Sequence, residues 1–508
     1  MPRVHIRKYF KEDPNMKRIV TLMLAVMMVL SMATFAQAEE PVRIVCYTNT
    51  NAGGFPADLE SNYVYQQILD RTGVAFEMIY LDEYEVSLNA RIFGGDTWHM
   101  ASMRTAADLV TYADQEVLLP LTDYAEELKV IYEKYGYDTD IPSLYHNGVQ
   151  YGIPAAKAIS DYYYLILVRD DINKKYNLTT PTTVPELYDY CVALKAIDIN
   201  EDGADNTIPF TGWTGNNGFG AITTPFGVFL GNKVILDAEG KASNTLLAPR
   251  MKEALEWVKK FWDAGLVDAE VFTTNTNVKA NVVACNVGVA AMPWSNILKA
   301  KYVADYKAVK PDAEYTWIGA LTDGQGGDPV YAIAENEKFT GEKFAINVDC
   351  TEEEIEAIWK VLHYFCTDEG MMLAYQGQEN VHWVYDENGD VKPTDKAADA
   401  NFVHAYQILG RYDAFYLKAK FPEAQEAVAF GLATPKLIVY NGNVVCPEDY
   451  NLSDLNSYVG EELIKFIKGE RALEEYDAFI QELYDAYDFQ TWLDICEEQL
   501  VAQGIAKE

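Results

Sequence analysis

Short apolar runs alternate with segments of helical periodicity along most of this chain. From Val42 the residues read VRIVCY, then a polar loop, then SNYVYQQILDRTG, and then VAFEMIYL. The apolar runs predict buried strands, and the helical spacing of apolar residues between them predicts an amphipathic helix. A helix that connects two strands in this way is typical of a parallel α/β layer architecture.

Four further segments show the same helical spacing. They are YAEELKVIYEKYG, VPELYDYCVALKAI, PRMKEALEWVKKFWDAG and TEEEIEAIWKVLHYFC, with turn-forming residues between them. From Asp454 onward the pattern is almost wholly helical. The chain has no internal repeat, no low-complexity tract and no long Pro/Ser linker, so we expect domains that are joined by short crossings.

The length and charge of the chain restrict its class. Its 508 residues exceed what one hydrophobic core usually supports, and an apolar content of 49% can fill two cores or more. With 41 Lys and Arg against 77 Asp and Glu, the net charge is −36. This charge repels phosphate backbones, so the sequence predicts no nucleic-acid partner.

Residues 1–38 are predicted to be a leader and signal peptide. From Met16 the sequence has a basic start, an apolar run over 19–35 and the small-x-small site Ala36–Ala38. We expect translation to start at Met16 and the protein to be exported, to the cell surface or medium or, in a cell with two membranes, to the periplasm. An uncleaved anchor helix is the alternative, because the run is just long enough to span a bilayer. No Cys follows the run, so the leader has no lipobox.

Seven cysteines are scattered through the chain without a CxxC pair or a cluster. This spacing predicts neither a zinc site nor a disulfide framework. We expect buried free thiols, and the sequence leaves one or two disulfides open.

The stretch DINEDGADNTIP begins like a calcium-binding loop. Asp198, Asn200 and Asp202 put oxygen side chains at positions 1, 3 and 5, and a Gly supplies the turn at position 6. Position 12, where an EF-hand has a bidentate Glu, is Pro209. Two interpretations stay open: a structural calcium ion held between Asp198 and Asn206, or a solvated turn whose side chains bond their own backbone.

Aromatic and amide residues cluster in the loops between the predicted elements. These loops are CYTNTNAGG, SDYYYL, FTGWTGNNGFG, AAMPWSN and NVHWVYDENG. Each aromatic residue taken alone is more often part of a core. Together they favour a sugar-binding groove, because pyranose faces stack on Trp or Tyr and sugar hydroxyls bond amides and carboxylates.

Three long stretches carry a family resemblance. They are LNARIFGGDTWHMASM (88–103), YADQEVLLPLTDY (112–124) and the segment 147–191, which begins NGVQYGIP. In this order they resemble segments of the extracellular solute-binding proteins, family 1, the carbohydrate-binding components of ABC importers. The loop from Asp198 to Pro209 resembles that of the larger aldouronate-type or LipO-like members, where the Pro belongs to the pattern. The resemblance runs from about Val42 to the C-terminus.

The resemblance implies an α/β, two-lobed, periplasmic-binding-protein-like (type II) fold with a hinge and an interlobe cleft. Crossings are expected near Ala158, Ala320 and Pro393. Both lobes are then discontinuous in sequence: 39–157 plus 320–393 in the N-lobe, and 158–319 plus 394–508, with the helical C-terminal region, in the C-lobe.

The aromatic loops and the matched motifs predict a set of site residues. VAAMPWSNI resembles the family segment that brings a Trp into the cleft, which makes Trp294 the main candidate for stacking on a sugar. No catalytic residue and no required cofactor are predicted. The ligand-binding residues are expected to be Asn49, Asn51, Asp96, Trp98, Tyr162, Trp213, Trp294, Asn296, Glu379, His382, Trp383 and Arg411, and the calcium ligands, if the ion binds, Asp198, Asn200, Asp202 and Asn206.

The implied function is that of a monomeric, non-enzymatic substrate-binding component of an ABC importer, which delivers a sugar or oligosaccharide to a membrane permease. A secreted glycoside hydrolase is one alternative, since so many acidic residues leave room for a carboxylate pair, although GxSxG and HExxH are absent. A sugar-binding sensor or lectin of the same fold is another. Few Arg residues lie in the candidate loops, Arg104 and Arg411 being the ones for a carboxylate, so a neutral oligosaccharide is favoured over a uronic acid ligand.

Overall fold

Two β-sheets with surrounding helices form the centres of two lobes. The computed structural model describes residues 40–49, 55–56, 58–155, 163–213, 216–335, 342–387, 389–410, 424–447 and 449–508. Strands and helices alternate through both lobes. The predicted α/β class is therefore confirmed.

The strands are short, and most are buried. In chain order they are β1 Arg43–Thr48, β2 Ala75–Tyr80, β3 Met100–Met103, β4 Tyr145–His146, β5 Val149–Gln150, β6 Ile153–Pro154, β7 Tyr164–Arg169, β8 Ile208–Gly212, β9 Val234–Leu236, β10 Ala242–Asn244, β11 Val287–Pro293, β12 Tyr315–Ile318, β13 Ile333–Glu335, β14 Lys343–Ile346, β15 Trp383–Tyr385, β16 Val391–Pro393 and β17 Leu437–Val439.

Apart from one helix of four residues, the helices of the described ranges have 7 to 17 residues. They are α1 Tyr63–Thr72, α2 Tyr84–Gly94, α3 Ala106–Asp114, α4 Ala125–Tyr135, α5 Asp170–Tyr176, α6 Val184–Lys195, α7 Gly220–Thr223, α8 Met251–Asp263, α9 Asn275–Val283, α10 Ala300–Val309, α11 Glu352–Phe365, α12 Asp368–Gln376, α13 Gln425–Ala433, α14 Leu452–Lys468, α15 Tyr476–Tyr487 and α16 Phe489–Ala502. None of these helices combines the length and the apolarity that crossing a membrane requires.

The first sheet joins distant parts of the chain. Its strand order is β2-β1-β3-β14-β6, with β1 parallel to β2 and β3, and β14 antiparallel to β3 and β6. The apolar runs VRIVCY and VAFEMIYL form the neighbouring strands β1 and β2, with α1 between them in sequence. This is the strand, helix, strand unit that the periodicity predicts.

The second sheet comes from one continuous part of the chain. Its order is β12-β7-β11-β8, with β7 antiparallel to β11 and β12, and β8 parallel to β11. The C-terminal helices α14, α15 and α16 pack on this lobe, since Leu455, Phe479 and Trp492 share a core with Val168 and Phe210 of the sheet.

The four predicted helices are confirmed as α4, α6, α8 and α11, and capping residues mark two of their starts. Thr183 precedes α6, and its side chain accepts a hydrogen bond from the N–H of Glu186 at 3.1 Å. Thr351 and Glu354 form a capping box at the start of α11. Each cap satisfies N–H groups that the first turn of a helix leaves without partners.

The first-lobe ends of three crossings between the lobes lie together. Ala155 follows β6, and its N–H donates to the carbonyl of Glu342, which precedes β14, at 3.0 Å. Gly410 follows the 3₁₀ segment Ala397–Tyr406, and a Cβ atom there would lie 2.4 Å from the carbonyl oxygen of Ala155. Ala155 therefore contacts both of the other chain segments that lead into the hinge.

The division of the lobes in sequence stays a prediction. β13 pairs with β17, which contacts β9 of the second lobe, while the segment Ala397–Tyr406 packs on α12 of the first lobe. These contacts favour crossings between residues 335 and 342 and between 410 and 424, later than Ala320 and Pro393. The crossing predicted near Ala158 lies outside the described residues.

All seven cysteines are free in the structure, in agreement with the interpretation of the sequence. Five are buried, and Cys350 and Cys446 are partly exposed. Burial raises the pKa of the Cys46 and Cys191 thiols well above the ordinary value. Thiols of this kind are poor nucleophiles and belong to the packing of the core.

Gly410→Ala is expected to destabilise the protein more than the same change at an open site. Gly410 has a φ of +77°, and a Cβ atom there would lie 2.4 Å from Ala155 O and 2.5 Å from Tyr137 Oη. Gly73 is the matched control, because its φ is +73° but nothing lies within 4 Å of such an atom. Urea unfolding should show Gly410→Ala to cost about 1–3 kcal/mol more than Gly73→Ala, the usual range for overpacking. Equal costs would contradict the close contact.

Candidate functional site

The strand directions place one edge of each sheet beside the space between the lobes. β6 runs parallel to β3 and ends at Pro154, whereas β7 begins at Tyr164 next to the end of β11. The residues between these strands span at most roughly 35 Å when extended. The carboxyl ends of β1 and β3 therefore border the same space as those of β8 and β11. We call this space the interlobe cleft; in open α/β sheets, ligands bind outside such strand ends.

The first-lobe edge of the cleft presents a predicted amide and a paired cation. Asn49 directly follows β1 and is half-buried there. Arg104 directly follows β3, and its Nη1 donates to Glu85 Oε1 at 2.5 Å. The predicted residues Asn51 and Arg411 lie outside the described residues. Arg104 is thus already matched by a carboxylate.

Four polar residues that sequence reasoning missed lie at the same edge, Tyr84, Ser102, Glu342 and Lys343, and all but Glu342 are buried. Ser102 Oγ donates to Glu342 Oε1 at 2.5 Å, and Tyr84 Oη donates to the Ser102 carbonyl at 2.8 Å. Burial raises the pKa of the Glu342 carboxyl, and burial lowers the pKa of Lys343 to about 8. The signal in the sequence was a charged pair, Glu342 and Lys343, directly before the buried run FAI.

Lys343→Met is expected to abolish a rise of stability with pH. The pKa of Lys343 is about 8 in the folded protein, below its ordinary value of 10.5. Between these two values the unfolded chain holds a proton that the folded protein has lost, so the free energy of unfolding increases with pH. Urea unfolding of the wild type and of Lys343→Met from about pH 8 to about pH 10 measures this increase. Subtracting one free energy of unfolding from the other cancels the contribution of all groups that titrate in both proteins. Parallel pH profiles would contradict the lowered pKa.

Trp213 lies at the second-lobe edge of the cleft, and sugar binding by its ring stays a prediction. It directly follows β8, and its backbone N–H donates to the carbonyl of Ala291 in β11 at 3.1 Å. Gly212 and Gly218 fix the loop, since a Cβ atom at Gly212 would lie 2.4 Å from the carbonyl oxygen of Gly218. The ring is half-buried, with Lys279 Nζ 5.0 Å from its centroid. The structure therefore places an accessible indole at the cleft.

The end of β11 carries the other two predicted residues of this edge. Trp294 is 0% exposed, and its ring is stacked on that of Tyr163 with centroids 5.6 Å apart. Tyr163 and Asn296 are only half-buried. Stacking of Trp294 on a sugar stays a prediction; in the structure Tyr163, which sequence reasoning did not single out, covers it. Its neighbour Tyr162, which was predicted, lies outside the described residues.

The structure does not bring Asp96 and Trp98 to the cleft. Both precede β3, at the amino end of that strand, whereas the cleft residues follow their strands. Asp96 Oδ2 accepts a hydrogen bond from Arg91 Nη1 at 3.0 Å. Trp98 is 4% exposed and packs in a core with Leu109. The matched motif is thus the end of α2 and the entry to β3, and sugar binding by its residues stays a prediction.

Glu379, His382 and Trp383 lie together on the first lobe, beside α1 and α12. His382 Nδ1 accepts a hydrogen bond from the N–H of Gln378 at 3.0 Å, and its ring stacks on Tyr63 with centroids 4.9 Å apart. Trp383 Nε1 donates to a backbone carbonyl at 2.9 Å. Glu379 and Trp383 line a groove of about 880 Å³ to which no described residue of the second lobe contributes. The structure therefore gives His382 and Trp383 a role in holding this turn, and a role in ligand binding stays a prediction.

The loop over residues 198–206 is closed by its own side chains. Asp198 accepts hydrogen bonds from two backbone N–H groups of the loop, both at 2.8 Å. Asp202 Oδ2 accepts from the side-chain amides of Asn200 and Asn206 at 2.9 and 2.8 Å. A backbone N–H and these amides lower the pKa of Asp202. The Oδ1 atoms of both Asn residues are buried without a hydrogen-bond partner in the described part of the chain.

These four side chains fit calcium in the kind of atom that they offer. Calcium takes carboxylate and amide oxygens, and two acceptor oxygens without a donor are what a bound cation would satisfy. Only two of the four are carboxylates, and no group of three or more His, Cys, Asp or Glu side chains suited to a metal occurs in the described ranges. The self-bonded turn, the other interpretation of the sequence, is the arrangement that the structure contains.

Comparison with known proteins begins with sequence relatives. No family model matches the chain. Over 240 residues the chain is 24% identical to the fructooligosaccharide ABC transporter substrate-binding protein FusA of Streptococcus pneumoniae. The match covers 44% of the chain and 44% of that protein, so the chain spans less than half the length of this curated relative.

Solved structures match over much more of the chain. FusA of S. pneumoniae in complex with kestose has a TM-score of 0.66 at 18% identity, over 91% of this chain and 99% of that one. The alginate-binding protein AlgQ2 without calcium ion has a TM-score of 0.66 at 14% identity, over 91% and 98%. An extracellular solute-binding protein from Bifidobacterium longum subsp. infantis has a TM-score of 0.69 at 14% identity, over 91% and 98%. The chain therefore has the two-lobed fold of the solute-binding proteins, with a hinge and an interlobe cleft.

Proposed function

We propose that this protein is the extracytoplasmic substrate-binding component of an ABC importer, and that it binds a sugar or oligosaccharide in the interlobe cleft. The observation that carries the proposal is the fold, which it shares over 91% of its length with an ABC-transporter substrate-binding protein in complex with kestose. The cleft edges support it, because Trp213 and Tyr163 offer aromatic rings and Asn49 and Asn296 offer amides. Rings of this kind stack on pyranose faces, and amides bond hydroxyl groups.

The proposal includes export, a monomeric state and delivery of the ligand to a membrane permease. The leader-like segment 1–38 supports export. The finer assignment to aldouronate-type proteins rests on the loop from Asp198 to Pro209 and on the order of the matched motifs.

Transport of this kind requires a conformational change of the protein and no catalysis by it. A ligand that contacts both cleft edges shifts the lobes toward a closed form by its higher affinity for that form. The permease then recognises the closed form, and other subunits of the transporter hydrolyse ATP. The known relatives are substrate-binding proteins and not enzymes, which fits a cleft that only holds its ligand.

A neutral ligand is favoured over an anionic one. Arg104 is held by Glu85, and Lys343 is buried beside Glu342, so neither presents a free cation to the cleft. A carboxylate ligand is best held by an Arg fork. The chain also carries a net charge of −36, which repels anionic sugars at long range.

The test is thermal melting of residues 39–508 against neutral and acidic mono- and oligosaccharides. A sugar present at 100 times its Kd adds about 2.7 kcal/mol of stability, which is readily seen as a rise in Tm. A rise with a neutral oligosaccharide that is recovered unchanged supports the proposal. Recovery of a cleaved sugar would replace it by a glycoside hydrolase, and a flat response to the whole panel would mean that the ligand is outside the panel or is not a sugar.

A structural calcium ion in the loop 198–206 is part of the proposal. Asp198, Asn200, Asp202 and Asn206 would hold it, and its charge would stiffen the connection between α6 and β8, the strand that ends beside Trp213. The two buried Asn oxygens without partners support this assignment.

Calcium is therefore expected to raise the Tm of the wild type and not that of Asp202→Ala. The gain is about 2.7 kcal/mol at 100 times the Kd, measured by melting with calcium and with a chelator. Glu201→Gln is the control, because Glu201 lies in the same loop but pairs with Lys175 and Lys310. A wild-type Tm that calcium does not change leaves the loop as a self-bonded turn.

A further inference from the structure

Two cysteines of the second lobe lie on segments that run side by side. Cys446 lies in the segment 443–447, which follows β17 and precedes α14, and Cys496 lies in α16. About 50 residues separate them in sequence, including all of α14 and α15. Only the packing of α16 against the segment 443–447 can therefore bring the two thiols together.

Amide side chains at the end of α16 hold the segment 443–447 against the helix. Gln503 Nε2 donates to the carbonyl of Asn443 at 2.8 Å. One turn before it, Gln499 Oε1 accepts a hydrogen bond from the N–H of Val445 at 2.7 Å, and its Nε2 donates to the Val445 carbonyl at 2.8 Å. As the segment advances by two residues, its partners on the helix therefore move back by four.

Cys446 and Cys496 are the next residues in this alignment. Trp492, Cys496 and Gln499 lie on one face of α16, since they are four and three residues apart. Beyond Cys446 the chain meets the same face again, where the ring of Tyr450 stacks on that of Trp492 with centroids 5.8 Å apart. Cys446 is thus held between two contacts to this face, one on each side of Cys496.

The two thiols share one apolar core. Cys496 is 1% exposed, and the half-buried Cys446 packs against the cluster that contains it. Burial raises the pKa of both thiols, and the Cys446 thiol raises the pKa of Cys496 further. One thiol affects the pKa of another only when their sulfur atoms lie near each other. The alignment and the electrostatics therefore agree that the thiols are neighbours.

We propose that Cys446 and Cys496 form a modification site, at which a low-molecular-weight disulfide oxidises the two thiols to one intramolecular disulfide. Cys446, the partly exposed partner, loses its proton and attacks the reagent, whose S–S bond breaks so that one reagent thiol leaves. Cys496 then loses its proton and displaces the second reagent thiol from the Cys446 sulfur. The protein thiols give up two electrons and two protons in total, and the reagent takes them up as two thiols.

The new bond attaches α16, which ends the helical region, covalently to the segment 443–447. It closes a loop of about 50 residues, which restricts the unfolded chain. We expect the Tm to rise by at least about 5 °C, and a reducing agent to reverse the rise. The effect is independent of the proposed importer function, because both cysteines lie away from Asn49 and Trp213 in the sequence and need no sugar to react.

The test is incubation of residues 39–508 with oxidised glutathione at about pH 8, followed by mass spectrometry without reduction. We expect the protein to lose two hydrogen atoms and to give one linked peptide pair that contains Cys446 and Cys496. Cys496→Ala should instead keep one glutathione on Cys446. Cys350→Ala is the matched control, because Cys350 is the other partly exposed cysteine, and it should form the same linked pair as the wild type.

Cys446→Ala is a second variant that removes the bond from a half-buried position. It should keep the Tm of the reduced wild type and gain nothing from the oxidant. A wild type that does not react, or that keeps glutathione on Cys446 without the linked pair, would overturn the proposal. So would a linked pair that forms only in urea, where the folded contacts are lost, or an equal Tm for the oxidised and reduced wild type.

Discussion

Arg169→Ala should lower the free energy of unfolding of the second lobe by about 3–5 kcal/mol, the usual cost of breaking a buried ion pair. Arg169 ends β7 and is 0% exposed. Its Nε and Nη2 donate to the two carboxylate oxygens of Asp171, both at 2.8 Å. Nη1 donates to the carbonyl of Cys285 at 2.8 Å, and Nη2 also to that of Ile199 at 3.3 Å. The variant leaves two backbone carbonyls and the carboxylate of Asp171, whose side chain is 11% exposed, without this donor.

Arg43→Ala is the control for this experiment. Arg43 also pairs with a carboxylate, that of Glu77, but its side chain is 57% exposed. Such pairs contribute about 0–1 kcal/mol. Urea unfolding of both variants measures the two costs under the same conditions. If Arg169→Ala costs no more than Arg43→Ala, the buried guanidinium does not tie β7 to the loop that begins at Asp198.

Trp213→Ala should weaken binding of the cleft sugar by at least about 30-fold, or ~2 kcal/mol, the loss expected at a tryptophan hot spot. The indole directly follows β8, is half-buried and lies at the edge of the interlobe cleft. Removing it takes away the flat apolar surface on which a pyranose face would stack. Isothermal titration with the sugar identified by melting measures the loss.

Trp257→Ala is a close match for that change. Trp257 is likewise half-buried, and Lys260 Nζ lies 4.3 Å from its ring, as Lys279 Nζ lies 5.0 Å from that of Trp213. It lies on α8, which packs against the C-terminal helix α14. We expect Trp257→Ala to leave the sugar affinity unchanged. Similar losses of affinity in both variants would mean that the sugar binds more weakly because the protein is destabilised, and not because stacking on Trp213 is lost.

The elements could be predicted where local signals agree with the tertiary structure. Thr183 and Thr351 cap helices whose apolar spacing already marks them, and the run VRIVCY is long and apolar enough for a buried strand. Trp213 lies in a loop directly after β8, as the Gly residues beside it indicate, whereas its role in sugar binding stays a prediction. In these places the sequence neighbours decide the conformation.

The rest of the site depends on contacts that no local pattern contains. Ser102 and Glu342 are 240 residues apart, and only the pairing of β3 with β14 joins them. Trp294 is buried because Tyr163 reaches it across the β7–β11 pair. Trp98 belongs to a motif that is easy to recognise, but the motif does not reveal that the residue enters β3 at the end away from the cleft.

The strand order of the first sheet has a consequence for the time course of synthesis. A chain is made from its N-terminus, and domains generally fold as they emerge. The second sheet needs no strand beyond Ile318, whereas the first sheet cannot join β3 to β6 before β14 appears at Lys343–Ile346. Until then β3 keeps an open edge that a chaperone or another chain can pair with. The first lobe, which contains the N-terminal strand β1, is therefore the lobe whose sheet is completed last.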